Sequence, residues 1–317
     1  MRQYITRRLL LAIPTIILAT LIVFITIRLI PGSILTLMEQ QYSYIQNINM
    51  DVIKHNLGLD VPVYVQYFRW VGNIILHGDF GKSMWTTTSV ISEISAAWPV
   101  TLELGILAII ISQLIALPIG IFSALRQDTW GDYLARSFAI LFIAIPGFWI
   151  ATLVMVFPSI WWGWTPSIVY IPFVKDPIGS LGMFILPAVV LGLNGSGSTM
   201  RMTRTMMLEV MRQDYIRTAW AKGLRERVVV TRHTLKNALI PVVTIIGMQL
   251  PSVIGGAVII ETIFGLPGMG RLIVTSTTQR DYTMVSGVML FFAVGLVLIN
   301  IIVDLTYGIL DPRVHYK

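Results

Sequence analysis

The sequence contains no cysteine among its 317 residues. That absence excludes disulfide frameworks, cysteine-ligated zinc, iron–sulfur clusters and thiol chemistry. Charged residues are also scarce, at 12% of the chain, whereas hydrophobic residues make up 55%. An average soluble domain has roughly 25% charged residues, so most of the exterior of this chain must face something other than water. The composition therefore predicts an integral membrane protein.

Long apolar runs are abundant. A membrane-spanning helix needs about 20 predominantly apolar residues to cross about 30 Å of hydrocarbon. Six runs meet this length, or nearly so: 9–30, 101–125, 134–160, 181–200, 238–260 and 284–310. Pro146-Gly147 and Pro158 interrupt the third, but we expect one crossing because neighbouring helices can satisfy backbone groups freed by proline. The first run follows Arg7-Arg8 like a signal peptide, yet its length favours a retained anchor.

Lys and Arg are distributed unevenly over the two sides that six crossings define. One side would hold the N-terminus, the short loop 126–136, the segment 201–236 and the C-terminus, which together carry 16 of the 23 Lys and Arg. The positive-inside rule assigns this side to the cytoplasm. We therefore expect a multi-pass protein of the inner membrane with both termini in the cytoplasm. The long loop 31–99 would lie outside as a partly folded cap.

The segment 201–236, here called the basic segment, carries nine basic and three acidic residues. Its only glycine is Gly223 and it has no proline, which predicts two short helices hinged at that glycine. Four apolar residues recur at i, i+1, i+4 and i+5 and form one stripe: Tyr215, Ile216, Ala219 and Trp220. Such a helix either lies on anionic lipid or docks into a groove of a cytoplasmic partner. A solvated loop is the plainer alternative.

Several motifs carry a resemblance to a known family. The stretches DYIRTAWAKGL (214–224) and RHTLKNALIP (232–241) resemble the cytoplasmic coupling loop of ABC importer permeases of the dipeptide/oligopeptide/nickel family. Arg217 stands where the wider superfamily has Glu, and Lys236 where it often has Pro. Further matches follow in the family's order: RRLLLAIP and IRLIPG within 1–32, GDFGKS (78–83), PVTLELG (99–105), ETIFGLPGMGRL (261–272), RDY (280–282) and NIIVDLTYGILDPR (300–313).

The resemblance implies a fold and an organisation. The fold would be that of a type I ABC importer permease, an all-α membrane protein with six transmembrane helices and a long extracytoplasmic loop after the first helix. Residues 1–96 would form the N-terminal transmembrane helix and that loop. Residues 97–310 would form the transmembrane domain, including a cytoplasmic coupling loop at 201–237. Residues 311–317 would be a cytoplasmic tail.

The resemblance also implies a function and partners. The chain would be a permease subunit that forms half of a translocation path for di- or oligopeptides, with nickel, glutathione or oligosaccharide as alternative cargo. Its partners would be a second, different permease, two ATP-binding subunits, an extracytoplasmic solute-binding protein and the lipid bilayer, but no nucleic acid. The chain would not be an enzyme and would bind no cofactor or metal, because ATP and Mg²⁺ would be held by the partner ATPase subunits.

Two groups of residues are candidate sites. The positions implied to couple the permease to the ATPase are Tyr215, Ala219, Trp220, Gly223, Leu224 and Glu226, as docking rather than catalytic positions. The loop GLPGMGR (265–271) must turn tightly because it combines three glycines with a proline. It is predicted to be an outer gate or a contact for the binding protein, with an ordinary tight loop as the alternative; its candidate residues are Gly265, Pro267, Gly268 and Gly270.

An ion-coupled secondary transporter is the alternative from a different class. Carboxylates at membrane depth would favour it, but only Glu103 and Asp304 stand out, each near a helix end.

The motif GDFGKS lacks the first glycine of a phosphate-binding loop, so nucleotide binding is not expected. The run NGSGS (194–198) indicates close helix contacts rather than a serine nucleophile, because no histidine lies at membrane depth to serve as its base.

Overall fold

The computed structural model describes residues 2–29, 60–165 and 169–310, with side chains from Thr6 to Val303 within these ranges. Helices dominate them: α1 (Arg2–Leu29), α2 (Val63–His77), α3 (Val90–Leu125), α4 (Trp130–Ala144), α5 (Gly147–Trp162), α6 (Pro177–Met211), α7 (Asp214–Ala221), α8 (Glu226–Phe264), α9 (Met269–Thr278) and α10 (Tyr282–Leu310). Apart from an isolated bridge between Lys82 and Ser89, these ranges contain no β structure.

Some predictions fall outside the described residues. They are the first part of the external loop, the side chain of Asp304 and the tail 311–317. The chain has two compact units: the described residues of one come from Met1–Trp98 and Arg271–Ile301, and those of the other from Pro99–Gly270 and Ile302–Lys317. The domain boundaries placed after residues 96 and 310 stay predictions.

Five helices of the described chain are long and apolar enough to cross a membrane. They are Thr6–Leu29, Val90–Leu125, Pro177–Met211, Glu226–Phe264 and Tyr282–Val303. A sixth crossing results if α4 and α5 are counted together as one broken span. The all-α membrane architecture is therefore confirmed, and within the described residues five of the six predicted runs lie in unbroken helices.

The third predicted crossing differs from the expectation. We expected one helix over 134–160, but α4 ends at Ala144, α5 starts at Gly147, and the two are bent by 92°. The cause is Pro146, whose ring disfavours helical dihedrals at the preceding residue. Ile145 is accordingly extended, with φ −83° and ψ 126°. Pro158, in contrast, lies inside α5 without ending it.

In the first compact unit, α2 packs along the last turns of α1. The hydroxyl groups of Thr20 and Tyr67 lie 2.9 Å apart. The Phe24 ring meets that of Tyr67 edge-on at 5.2 Å. The Arg28 guanidinium stacks 3.4 Å from the Phe24 ring centroid and donates to Gln66 Oε1 at 2.6 Å. Residues 63–77 of the long loop are therefore helical and pack against the C-terminal part of α1. That this loop lies outside the membrane stays a prediction.

The same unit joins two motifs that are far apart in sequence. Ser83, the last residue of GDFGKS, donates its hydroxyl proton to Asp281 of RDY at 2.6 Å. The backbone N–H of Met84 donates to the same carboxylate at 3.1 Å, and Trp85 Nε1 donates to the Gln279 carbonyl at 2.8 Å. The hydroxyl group of Ser83 is therefore engaged in a buried structural hydrogen bond.

The core of the second unit lies where α3, α5, α6 and α8 meet. Leu104, Phe184, Ala188 and Ile260 are among its buried residues. Small residues let the helices approach closely. A Cβ at Gly192 would lie 2.5 Å from the Ala108 carbonyl oxygen, and one at Gly197 would lie 2.6 Å from that of Ala139. The interpretation of NGSGS as a close helix contact is confirmed.

A buried ion pair connects α4 to α6. Arg204 donates from Nε and Nη2 to the two oxygens of Asp132, both at 2.8 Å. The same carboxylate accepts from Ser123 Oγ at 2.5 Å and from the Asp128 N–H at 3.0 Å, and it is fully buried. Four donors therefore compensate the desolvation of this charge. Sequence reasoning missed the pair, because its partners lie 72 residues apart.

Candidate coupling segment and transmembrane cavity

The centre of the basic segment is the short helix α7. Asp214 opens it, which places a negative charge at the positive end of the helix dipole. Ile216 and Ala219 are buried on its inner face, where they pack against Val229 of α8, with Val210 and Leu224 partly buried beside them. The inner face thus fixes α7 between the end of α6 and the start of α8.

Two aromatic side chains lie at the margins of this buried face of α7. Tyr215 is 44% exposed and Trp220 is 48% exposed. The Tyr215 hydroxyl accepts a hydrogen bond from Asn237 Nδ2 at 2.9 Å, which orients the ring. The predicted apolar stripe therefore has a buried centre, Ile216 and Ala219, and half-exposed margins, Tyr215 and Trp220.

The six predicted coupling positions differ in exposure. Tyr215, Trp220, Gly223 and Glu226 are exposed, Leu224 is partly buried, and Ala219 packs inside its own chain. Only the exposed members can touch another subunit without a rearrangement of α7. The docking role itself stays a prediction for all six.

Gly223 makes the turn after α7. Its φ is +72°, a conformation that glycine adopts without the cost paid by other residues, and its N–H donates to the Trp220 carbonyl at 2.9 Å. A Cβ here would meet no atom within 4 Å, so the backbone and not space requires the glycine. The predicted turn at Gly223 is confirmed.

The prediction of two short helices hinged at Gly223 is confirmed for the hinge and for one short helix, α7, and is wrong for the rest of the basic segment. Residues 201–211 continue α6, and from Glu226 the chain runs in one helix to Phe264. Residues 201–211 and 226–236 contain no glycine or proline, so the long helices on either side extend into them. The segment Val229–Leu235 of α8 is π-helical, where Thr234 donates its hydroxyl to the Val229 carbonyl at 3.2 Å.

A cavity of about 470 Å³ lies between α3, α5, α6 and α8. Most of its lining is apolar, and Gly147 and Phe148 at the α4–α5 break form part of it. None of the described residues that line it is charged, and its polar side chains are Ser112, Asn194, Ser198, Gln249 and Ser252. The sequence did not predict this cavity, because four helices distant in the chain contribute to it.

The glycine-rich loop wraps around a buried carboxylate. Glu261 is fully buried and accepts from the Gly270 N–H at 2.7 Å and from Thr101 Oγ1 at 2.6 Å. A Cβ at Gly268 would collide with that carboxylate, whereas Pro267 is exposed. Gly265 caps α8 with φ +69°. The predicted tight turn is confirmed, and its role as gate or binding-protein contact stays a prediction.

Glu261 was missed by the sequence analysis, although an acid in the last turn of an apolar helix just before a glycine-rich loop is a usable signal. Glu103, which was singled out, is partnered by Ser180 and by Tyr170, whose hydroxyl lies 3.5 Å from Glu103 Oε2. Burial and this neighbouring carboxylate raise the pKa of Tyr170 above its usual value.

Among the described residues no group of three or more His, Asp or Glu could hold a metal ion.

Known proteins resemble this chain over its whole length. Residues 116–316 match the family described as binding-protein-dependent transport system inner membrane component, and residues 1–105 match its N-terminal companion. A protein of Brucella suis biovar 1 (strain 1330), provisionally named as a peptide transport system permease, is 40% identical over 316 residues, which are 100% of both chains. The oligopeptide transport system permease protein AppB of Bacillus subtilis (strain 168) is 38% identical over 319 residues, again covering 100% of both.

A solved structure shares the fold. It is that of the MetNI methionine ABC transporter, with a TM-score of 0.54 at 18% identity over 69% of this chain and 96% of the other. At this identity the likeness concerns the fold alone. The family match and the relatives that align from end to end carry the assignment. The chain therefore belongs to the inner membrane components of binding-protein-dependent transport systems, in the dipeptide and oligopeptide branch of the ABC importer permeases.

Proposed function

We propose that this permease forms half of a peptide translocation path and that residues 214–226, the coupling elbow, dock on a cytoplasmic ATP-hydrolysing subunit. The observation that carries the proposal is the pair Tyr215 and Trp220, two half-exposed aromatic rings that flank the buried stripe of a short helix. Exposed aromatic residues are typical anchors of protein interfaces.

The packing of α7 supports a mechanical role for the elbow. Ile216 and Ala219 pack against Val229, which belongs to α8. The elbow also follows α6 after a two-residue connection. A displacement of the elbow by a partner would pass directly into two membrane helices, and rigid-body movement of such helices is the usual basis of a two-state switch.

The charge distribution supports the proposed orientation. Sixteen of the 23 Lys and Arg lie on the side of the elbow, which by the positive-inside rule is the cytoplasm together with both termini. ATP and Mg²⁺ would be bound there by two ATPase subunits and not by this chain. A second permease would complete the path, and a solute-binding protein would deliver cargo on the opposite side, at or near the loop 265–271.

Relatives named for peptide transport support peptides as cargo. The B. subtilis relative is named for oligopeptides, and a relative in Escherichia coli (strain K12), 35% identical over 340 residues, is named for dipeptides. The uncharged, partly polar lining of the cavity is compatible with an amide-rich solute. Peptides are therefore preferred over nickel, glutathione or oligosaccharide.

The replacement Gly223→Val tests the coupling role. A β-branched residue at φ +72° is strained by about 1–3 kcal/mol. The elbow should therefore change its backbone conformation, and its docking contact with the ATPase subunit should weaken. In proteoliposomes that contain the complete importer, we expect dipeptide uptake per ATP hydrolysed to fall about tenfold, equivalent to about 1.4 kcal/mol of coupling.

Gly163→Val is the matched control. Gly163 has φ +62° and open space around it, as Gly223 does, but it caps α5. The control should keep nearly the normal ratio of uptake to hydrolysis. Equal loss in both variants would contradict the coupling role. Uptake driven by an ion gradient, through the permease without ATPase subunits, would instead support a secondary transporter.

A further inference from the structure

We infer that three arginine side chains, where the start of α4 meets the end of α6, bind the phosphate headgroup of an anionic membrane phospholipid. The site is a pocket of about 130 Å³, here called the arginine pocket, and the charged residues of its described lining are Arg136, Arg201 and Arg204. It shares no described lining residue with the larger cavity and none with the coupling elbow. The inference goes beyond the proposed function, because it assigns a lipid and not the cargo.

Arg136 and Arg201 mark the level at which the apolar part of each helix ends. The sequence between Arg136 and Lys175, which includes the rest of α4 and all of α5, contains no charged residue. In α6, none lies between Asp176 and Arg201. Arginines at the end of an apolar span place their guanidinium groups at the depth of the lipid headgroups. By the predicted orientation, these headgroups belong to the cytoplasmic leaflet, which carries a negative surface potential.

Exposed aromatic rings lie at the same end of α4. Trp130 is 84% exposed and Tyr133 is 48% exposed, and such rings are enriched at the level of the headgroups. The Arg136 guanidinium stacks 4.6 Å from the Tyr133 ring centroid. Its Nε lies 3.9 Å from Asp132 Oδ1, which is too far for a hydrogen bond. The stacking therefore orients this guanidinium, and its N–H groups remain available to an anion.

The arginine pocket has a surplus of positive charge. Arg204 holds the buried Asp132 carboxylate with two hydrogen bonds. For the Arg201 side chain, no ion pair or hydrogen bond is found among the residues that the structure describes. The loop before α4 adds one charge of each sign, Arg126 and Asp128. Three guanidinium groups thus share one carboxylate, and two positive charges are left for an anion.

The size and walls of the pocket favour a lipid over a free anion. A bound water needs roughly 10–15 Å³ of such space, so about 130 Å³ accommodates a phosphate group. Guanidinium groups bind phosphate oxygens through paired N–H donors. One and two turns deeper along α4, the lining continues as Ile140 and Ile143, which are 64% and 39% exposed. Acyl chains attached to the phosphate would cover these side chains, whereas inorganic phosphate would leave them bare.

The experiment uses the complete importer in phosphatidylcholine nanodiscs with a titrated fraction of phosphatidylglycerol that carries a photoactivatable acyl chain. After illumination, mass spectrometry locates the lipid adducts on this chain. We expect adducts at Ile140 and Ile143. An excess of unlabelled phosphatidylglycerol should remove them, whereas the same amount of phosphatidylcholine or of inorganic phosphate should not.

Arg136→Gln combined with Arg201→Gln removes the two surplus charges and leaves Arg204 to hold Asp132. The probe fraction that gives half-maximal adduct formation should rise about thirtyfold, because each basic residue near an anionic lipid surface contributes about fivefold to binding. Arg136→Lys combined with Arg201→Lys should restore most of the binding, since the charge is kept and only the paired donors are lost.

Arg212→Gln combined with Arg232→Gln is the matched control. Both arginines are exposed, lie outside the arginine pocket and belong to the same side of the predicted topology. The control removes the same charge from the chain but should change half-maximal adduct formation by less than about twofold, because exposed charges are screened by salt.

Four outcomes would overturn the inference: equal adduct formation by a phosphatidylcholine probe, displacement by inorganic phosphate, unchanged binding in the glutamine pair, or an equal loss in the control pair. Absence of adducts at Ile140 and Ile143 would also overturn it, since another subunit would then cover the pocket. The displacement measurements use the unsubstituted importer, so they decide the question whether or not the variants assemble.

Discussion

Thr101 occupies a position where one hydroxyl group serves two partners. It donates to Glu261 Oε1 at 2.6 Å and accepts from the Met269 N–H at 2.8 Å, and it is buried. Thr101→Val keeps the shape but removes both bonds, which leaves a buried N–H unpaired and takes one donor from the carboxylate. We expect a loss of about 3 kcal/mol in the free energy of unfolding, measured in detergent.

Thr152→Val provides the comparison for Thr101. Thr152 is exposed, and its hydroxyl donates to the Phe148 carbonyl of its own helix at 2.9 Å. This replacement should change the free energy of unfolding by less than about 0.5 kcal/mol. Similar effects of the two replacements would show that the contacts of Glu261 with the loop add little to stability.

At the scale of helices, α4 and α6 depend on the ion pair between Asp132 and Arg204. Arg204→Lys keeps the positive charge, but an ammonium group cannot bond both carboxylate oxygens as the guanidinium does. Asp132 is fully buried and would lose part of its compensation. We expect destabilisation of about 2 kcal/mol, below the 3–5 kcal/mol for complete loss of a partner, measured by thermal unfolding of the purified protein.

A surface pair of the same chemistry serves as the control. Arg217 and Asp214 lie 3.2 Å apart, with side chains 75% and 93% exposed. Arg217→Lys should alter stability by less than about 0.5 kcal/mol, because exposed pairs contribute little. A loss for Arg204→Lys no larger than for Arg217→Lys would contradict the importance of the buried pair.

Some helix ends could be predicted from the residues at those positions, and others could not. Gly223 and Gly265 could be placed in turns from the sequence, because positive φ is a local requirement that glycine meets. The sequence shows a proline at residue 146, but it does not show that the helix direction changes there by 92°. Proline can be accommodated inside a membrane helix, as Pro158 is, and the surrounding helices decide which outcome occurs.

At the scale of the whole molecule, the absence of cysteine makes the proposed orientation directly testable. Arg225→Cys and Lys175→Cys each place one thiol at an exposed position on opposite sides of the predicted topology. In right-side-out vesicles, we expect a membrane-impermeant maleimide to label Lys175→Cys at once and Arg225→Cys only after the membrane is opened. The unsubstituted chain gives no background.

Inside-out vesicles should reverse the pattern of labelling. Reaction of Arg225→Cys from the outer side would place the coupling elbow away from the cytoplasm and exclude its contact with an ATPase. Labelling of both variants from one side would contradict an odd number of crossings between residues 175 and 225.

The sequence by itself determined the properties that depend on composition and on neighbouring residues. Apolar run length and scarce charge predicted a helical membrane protein, and the ordered motifs predicted its family. The tertiary structure decided which polar groups meet. Ser83 and Asp281 lie 198 residues apart, Thr101 and Glu261 lie 160 apart, and Asp132 and Arg204 lie 72 apart. Such pairings, like the cavity beside Gln249, follow from the packing of distant helices, and no local pattern encodes them.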